Sequence, residues 1–184
     1  MNLLVTGGAG FIGGHLVEAF VTDGHSVRAF DCLFDNYAVD IKRRTVEYAR
    51  DTAVKTDGTY RFVEGNILDR EAVNEQLDWA DVVFHQAARA GVRQSVKQPL
   101  TYNEANVTGT LNILDAACEH NVKRVVCASS SSVYGKPSYL PYDEAHPTTP
   151  ISPYGVSKLA AEQYARMYHD TYDLPTVVLR YFTV

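Results

Sequence analysis

The 184-residue chain is short of the residues that staple a small fold or anchor one to a membrane. Its three cysteines, Cys32, Cys118 and Cys127, are an odd count with no close pair. That excludes a disulfide framework and a cysteine zinc set, and a reducing cytoplasm is the expected compartment. No run of about 18 apolar residues occurs, so no membrane-spanning helix is expected. The opening MNLLVTGGAG has no basic segment before an apolar one, unlike a signal peptide. Positive charge is not in excess: 17 Lys and Arg against 22 Asp and Glu give a formal net charge of −5. Nonspecific binding to nucleic acid or an anionic membrane is therefore not expected, and a small anion would need local donors. Internal repeats and low-complexity segments are lacking too. With 46% hydrophobic and 21% charged residues, the composition suits one globular domain over residues 1–184 with a real core.

What is present is an alternation of apolar, β-rich runs with stretches of helical period, the pattern of βαβ units and a parallel sheet. Strands are predicted over Asn2–Thr6, Ser26–Asp31, Tyr60–Glu64, Asp81–His85, Arg124–Ser129 and Thr176–Phe182. Helices are predicted over Phe11–Thr22, Ile41–Ala53, Arg70–Leu77, Leu100–Glu119 and Pro153–Thr171. The continuous LLV, VVF and RVV runs imply strands buried on both faces. Five of the seven prolines fall in Lys136–Pro153, which should form a long irregular loop of the kind that is usually functional.

The first strand runs into Gly7-Gly8-Ala9-Gly10-Phe11-Ile12-Gly13 and then a helix. Glycines there allow a tight turn and close approach of a pyrophosphate, and the helix start aims N–H groups at it. Both G-x-G-x-x-G and G-x-x-G-x-x-G can be read, so the pattern marks a dinucleotide site without choosing a subfamily. Asp31 ends the second strand about 20 residues on, where a carboxylate accepts from the adenosine ribose hydroxyls and repels a 2′-phosphate. NAD is thus favoured over NADP, against the opposing charges of Lys42, Arg43 and Arg44. Tyr154 and Lys158 form the sole Y-x-x-x-K of the chain, and residues four apart share a helix face. A phenol with a pKa near 10 needs a drop of about three units, roughly 4 kcal/mol, to act as a base near neutrality. The lysine and a positive nicotinamide ring both push that way. Upstream, Ser129-Ser130-Ser131-Ser132-Val133-Tyr134-Gly135 follows the fifth strand, at the sheet edge that faces ligands in such folds. His85 reads as a packed strand residue.

Taken in order, VTGGAGFIG, HQAARAGVR, SSSSVYG, SPYGVSK and LRYF resemble the extended short-chain dehydrogenase/reductase family, specifically its NAD-dependent sugar-nucleotide epimerases and dehydratases. The resemblance covers essentially the whole chain. It implies an α/β fold, a Rossmann-type doubly wound parallel sheet with helices on both faces. It also implies a smaller C-terminal substrate domain, expected to be mostly missing from this chain. By position, Gly7, Gly10, Phe11, Ile12 and Gly13 match the pyrophosphate loop and Asp31 the ribose contact. Asn66 and Ile67 fall beside the adenine, with Asn where the family usually has Asp. Gln86, Ala87 and Ala88 match the segment passing the cofactor, Asn106 the asparagine of the next helix, and Phe182 a further cofactor contact. Ser130, Tyr154 and Lys158 match the catalytic set, with Tyr154 and Lys158 also touching NAD.

Two departures narrow the reaction that the resemblance implies. The 4,6-dehydratases read T-D-E-V-Y-G where this chain has Ser130-Ser131-Ser132-Val133-Tyr134-Gly135, so no acid is available there to remove water. The related decarboxylases carry Glu at the position of Ser132. A UDP-sugar 4-epimerase is therefore implied, working through a transient 4-keto sugar. UDP-glucose 4-epimerases typically read R-Y-F-N, whereas Arg180-Tyr181-Phe182-Thr183, the loop Asp35–Arg44 and AGVRQS are similar to UDP-glucuronate 4-epimerases. Hydroxyls of Ser132 and Thr183 could donate to a C5 carboxylate that an acid would repel. Ser130, Ser132, Tyr154 and Thr183 are thus the expected sugar contacts, with UDP-glucuronate favoured and UDP-glucose or UDP-galactose as the alternative. A homodimer through Leu100–Glu119 and Pro153–Thr171 is a further implication. The competing expectation is an NAD-binding module that does no chemistry alone. No metal ligand set is expected.

Overall fold

The computed structural model describes residues 1–184 as six parallel strands and the helices that connect them. The strands are β1 (Asn2–Thr6), β2 (Ser26–Asp31), β3 (Thr59–Glu64), β4 (Val82–His85), β5 (Arg124–Ser130) and β6 (Thr176–Tyr181), in the spatial order β3-β2-β1-β4-β5-β6. This is the doubly wound Rossmann order, whose direction reverses between β1 and β4 and opens a crevice at the strands' carboxyl ends. In register, Thr6 of β1 lies between Phe30 of β2 and His85 of β4.

The helices are α1 (Phe11–Thr22), α2 (Val39–Lys55), α3 (Arg70–Leu77), α4 (Val92–Lys97), α5 (Pro99–Asn103), α6 (Gly109–Glu119) and α7 (Pro153–Tyr172). On one face, α1 and α2 pack over β1 to β3 around Val5, Val17, Val21 and Val27. On the other, α3, α6 and α7 close a larger core around Leu4, Leu77, Ile113, Leu114 and Val125. Local chemistry marks several ends. Asp69 caps α3 by accepting from the Ala72 N–H at 3.1 Å. Ser152 caps α7 by accepting from the Gly155 N–H at 3.1 Å, with Pro153 in the first turn. None of the helices is long and apolar enough to cross a membrane.

One expectation is corrected. The segment Leu100–Glu119 is not one regular helix: α5 runs through a π-turn over Glu104–Thr108 into α6. The Thr110 hydroxyl donates to the Asn106 carbonyl at 2.6 Å, occupying an acceptor of that widened turn. The short α4 lies in a stretch to which the sequence pattern assigns no element. Burial on both faces holds for β1, but Val177 and Leu179 of β6 are each 39% exposed, because α7 covers only the opposite face of that strand.

Candidate functional site

The carboxyl ends of the strands open into a cleft of about 870 Å³ that runs from the β1–α1 loop to the start of α7. At its first end the chain turns sharply at Gly7, with φ +67°, where an added Cβ would lie 2.8 Å from the Ala87 nitrogen. At Gly13 an added Cβ would lie 2.1 Å from the Gly7 carbonyl oxygen, so α1 can begin this close to the loop only without a side chain. Gly10 caps α1 with no side-chain hydrogen bond, which leaves the first N–H groups of the helix directed at the cleft. A pyrophosphate fits this cradle by both charge and shape.

Asp31 is 8% exposed and lines the same end. Its Oδ1 accepts from the Leu33 N–H at 2.8 Å and its Oδ2 from the Ala9 N–H at 3.2 Å. Two backbone bonds hold the carboxylate toward the cleft and leave lone pairs for ribose hydroxyls. Asn66 and Ile67 lie on the adjoining wall, and the Asn66 Oδ1 accepts from the Leu68 N–H at 3.0 Å. Gln86, Ala87 and Ala88 form the floor beyond β4. The Gln86 Oε1 accepts from the Tyr181 hydroxyl at 3.2 Å, while its Nε2 is buried and has no partner. A buried donor of this kind calls for an acceptor, which a dinucleotide amide or phosphate provides.

At the far end, Ser130, Tyr154, Lys158 and Phe182 line the cleft. Lys158 is 6% exposed, and its Nζ donates to the Ala128 carbonyl at 2.8 Å. Burial pulls its ammonium down to about 8. The Ser130 hydroxyl accepts from the Ser132 N–H at 3.1 Å. Tyr154 departs from the sequence expectation: its phenol is raised, first by burial, with the Ser130 hydroxyl pulling it down and Tyr102 adding to the rise. The lysine serves β5 before it serves the phenol, and burial outweighs the remaining pull.

Three expected contacts lie elsewhere. Asn106 does not line the cleft; its Oδ1 accepts from the Arg89 N–H at 2.7 Å and its Nδ2 donates to the Arg89 carbonyl and the Ser157 hydroxyl, each at 3.0 Å. It braces the wall from behind. Ser132, in the short turn after β5, and Thr183, exposed beyond β6, are also outside the cleft wall. Conversely, the sequence marks Lys42 only as a charge opposing Asp31. It is 5% exposed, lines the same cleft as Asp31, and donates from Nζ to the Phe34 carbonyl at 2.7 Å. A signal existed: Lys42, Val46 and Ala49 repeat at helical spacing and form the buried face of α2, which Arg43 and Arg44 do not share.

The model of the NAD dependent epimerase/dehydratase family matches residues 3–184. Among curated relatives, UDP-glucuronate 4-epimerase of Thermodesulfobacterium geofontis is 38% identical over 98% of this chain and 55% of its own length. UDP-glucose 4-epimerase of Halalkalibacterium halodurans is 37% identical over 99% of this chain and 50% of its own. The chain therefore spans about half the length of the curated relatives it matches. Among solved structures, the UDP-glucuronic acid 4-epimerase of Bacillus cereus, in complex with UDP-glucuronic acid and NAD, aligns with a TM-score of 0.89 at 34% identity, covering 100% of this chain and 57% of that one. UDP-glucose 4-epimerase of Brucella ovis in complex with NAD gives 0.84 at 36%, covering 99% and 52%. With its glycine loop, strand order and Y-x-x-x-K helix matched in one continuous stretch, the chain belongs to the NAD dependent epimerase/dehydratase family.

Proposed function

We propose that this chain carries the dinucleotide-binding and catalytic residues of an NAD-dependent UDP-sugar 4-epimerase, with UDP-glucuronate as the favoured substrate and UDP-glucose or UDP-galactose as the runner-up. The observation that carries this reading is that Ser130, Tyr154 and Lys158 share one cleft with the glycine loop and Asp31. Gly7, Gly10, Phe11, Ile12 and Gly13 would hold the pyrophosphate, Asp31 the adenosine ribose, and Asn66 and Ile67 the adenine. Bound NAD supplies an acceptor for the hydride of a sugar carbon and a donor that returns it to the opposite face.

The chain's own residues manage the proton. As the phenolate, the Tyr154 Oη would take the proton of the C4 hydroxyl when C4 gives up its hydride and return it when the hydride comes back. Ser130, whose oxygen already accepts a backbone N–H, directs its own proton toward the phenol or the sugar oxygen. Lys158, half protonated near pH 8, keeps a positive charge at neutral pH on the helix face that bears the phenol. That charge favours the phenolate in which burial alone would not leave Tyr154. Ser130, Ser131 and Ser132 bring no acid to the turn after β5, which supports epimerisation over dehydration. The preference for a uronate is supported by the likeness of Arg180-Tyr181-Phe182-Thr183, Asp35–Arg44 and AGVRQS to UDP-glucuronate 4-epimerases, and not by Ser132 and Thr183, which lie outside the cleft wall.

The test supplies UDP-glucuronate and UDP-glucose separately, with NAD, and follows each product by chromatography. Conversion of the uronate is expected. Tyr154→Phe should bind NAD as before and lose at least about 100-fold in turnover, the usual scale of a proton-transfer group. Normal turnover by that variant rejects the assignment. A second reading, dinucleotide binding without conversion, draws support from Ser132 and Thr183 lying outside the cleft wall. Binding of NAD with neither sugar converted would favour it.

A further inference from the structure

The face of α7 that carries Tyr154 and Lys158 reaches Glu162 one turn later. Glu162 is 8% exposed, and its carboxylate accepts from side chains of two strands. Arg180 of β6 donates from Nε to Oε1 at 3.1 Å and from Nη2 to Oε2 at 2.9 Å. The Ser129 hydroxyl of β5 donates to Oε1. The same guanidinium donates from Nη1 to the Glu144 carbonyl at 3.2 Å, in the proline-rich loop, and lies 4.9 Å from the centre of the Tyr134 ring. One carboxylate thus ties the helix to two strands and, through Arg180, to the loop and turn beside the cleft. The fit with the catalytic end is close in register: Lys158 binds Ala128, Glu162 binds Ser129, and Ser130 lines the cleft. Rolling α7 enough to displace Tyr154 would strain both anchors.

The charges around Lys158 give the carboxylate a second role. From β5, Cys127 faces the ammonium, but burial pushes that thiol up to about 12 and it is uncharged at neutral pH. From β4, His85 is held neutral, its imidazole pulled down to about 3 by burial. Tyr154 sits one turn earlier on α7, raised and also neutral. Glu162 remains as the formal negative charge that favours the ammonium, and Arg180, bonded to the far side of this carboxylate, offsets part of it. A buried ion pair of this kind is weak evidence for stability, since apolar residues of equal volume often serve as well, so its placement needs another reason.

We propose that Glu162 is a positioning residue for the Tyr154–Lys158 pair: clamped by Arg180 and Ser129, it sets the roll of α7 against β5 and supplies the negative charge that keeps Lys158 an ammonium. The inference rests on the reading of Tyr154 and Lys158 as the catalytic pair. It is tested by NMR titration of Lys158 in protein labelled at the lysine Cε and Nζ, in the wild type, Glu162→Gln and Glu162→Asp. Glu162→Gln keeps the shape and removes the charge, and should lower the Lys158 midpoint by roughly one pH unit, as expected for loss of a nearby opposite charge. Glu162→Asp restores the charge and should recover most of that shift. An unmoved midpoint in folded Glu162→Gln, or an equal fall in Glu162→Asp, overturns the proposal. If circular dichroism finds Glu162→Gln unfolded, the double variant Glu162→Gln/Arg180→Met, which removes the carboxylate and the guanidinium it would leave unpaired, is titrated against Arg180→Met alone; a lower midpoint in the double variant is expected, and an equal one overturns the proposal. The midpoint is read without turnover. Failure to convert either UDP-sugar would therefore count against the function, and an unresponsive lysine against Glu162 alone.

Discussion

Gly13 and Asp31 set the two contacts on which dinucleotide binding turns. Because a Cβ at Gly13 would sit 2.1 Å from the Gly7 carbonyl oxygen, a contact that backbone cannot relax cheaply, Gly13→Ala must push α1 off the loop. We expect at least a tenfold loss of NAD affinity by calorimetry, about 1.4 kcal/mol, and a fall of about 1–3 kcal/mol in stability by denaturant titration, typical of overpacking. Asp31→Asn keeps the size but leaves one acceptor oxygen where two now take the Leu33 and Ala9 N–H groups. The charge that opposes a 2′-phosphate goes with it. NAD should bind more weakly by roughly tenfold, the scale of one bond to a charged acceptor, and the preference over NADP should shrink, since Lys42 stays in the same cleft. Equal titrations of NAD and NADP with wild type and variant check this. The glycine loop, Asp31, the segment after β4, Ser130, Tyr154 and Lys158 were legible at this scale because they sit in contiguous motifs with a mechanical reason for each residue, whereas no such reason marks Phe34, Tyr37 and Gln94 of the same cleft. Glu162 was not, because its meaning lies in a partner 18 positions away on another element.

Among the elements, α7 matters most, since its first two turns hold both Tyr154 and Lys158. Its start depends on Ser152, 7% exposed, whose hydroxyl takes the Gly155 N–H. Ser152→Ala should cost about 1 kcal/mol, the usual worth of a cap, and the loss should be concentrated in the first turn. Hydrogen exchange should therefore quicken at Gly155 and Val156 while the amides of α6 keep their protection; uniform quickening would mean that the cap serves the whole fold and not this turn. The same serine illustrates why strands and helix starts could be read from the sequence. A cap, a proline or a β-branched run acts over a few residues, and β1, β2, α1 and α3 have the expected bounds. The π-turn inside Leu100–Glu119 could not be read that way, because it accompanies tertiary bonds: Thr110 meets His85, and Asn106 meets Arg89 and Ser157. The short α4 has no capping side chain to announce it.

For the molecule as a whole, the buried polar chain through His85 couples the sheet to that π-turn and makes stability depend on pH. The Ala87 N–H donates to the Thr6 hydroxyl oxygen, and the Thr110 hydroxyl gives its only proton to the Asn106 carbonyl. His85 must then donate from Nε2 to Thr110, at 3.0 Å, and accept at Nδ1 from Thr6, at 2.7 Å. The neutral ring satisfies every partner. A second proton on Nδ1 would turn Thr6 into an acceptor there and leave its hydroxyl proton without a partner in a fully buried place, consistent with burial drawing the imidazole down to about 3. In the unfolded chain the ring titrates near 6.5, so between pH 6.5 and about 3 the unfolded state binds one proton that the folded state refuses. Stability is therefore intact above 6.5 and falls as pH drops through that window, by about 1.4 kcal/mol per pH unit from this residue alone. Urea titrations from pH 7 to pH 5, above the range of most carboxylates, should display the slope. His85→Gln, which keeps a donor and an acceptor but cannot charge, should be less stable at pH 7 because its amide is smaller than the ring. It should also lose one proton's worth of slope, so that the two stability curves converge toward pH 5; parallel curves would mean that His85 takes up its proton as readily folded as unfolded.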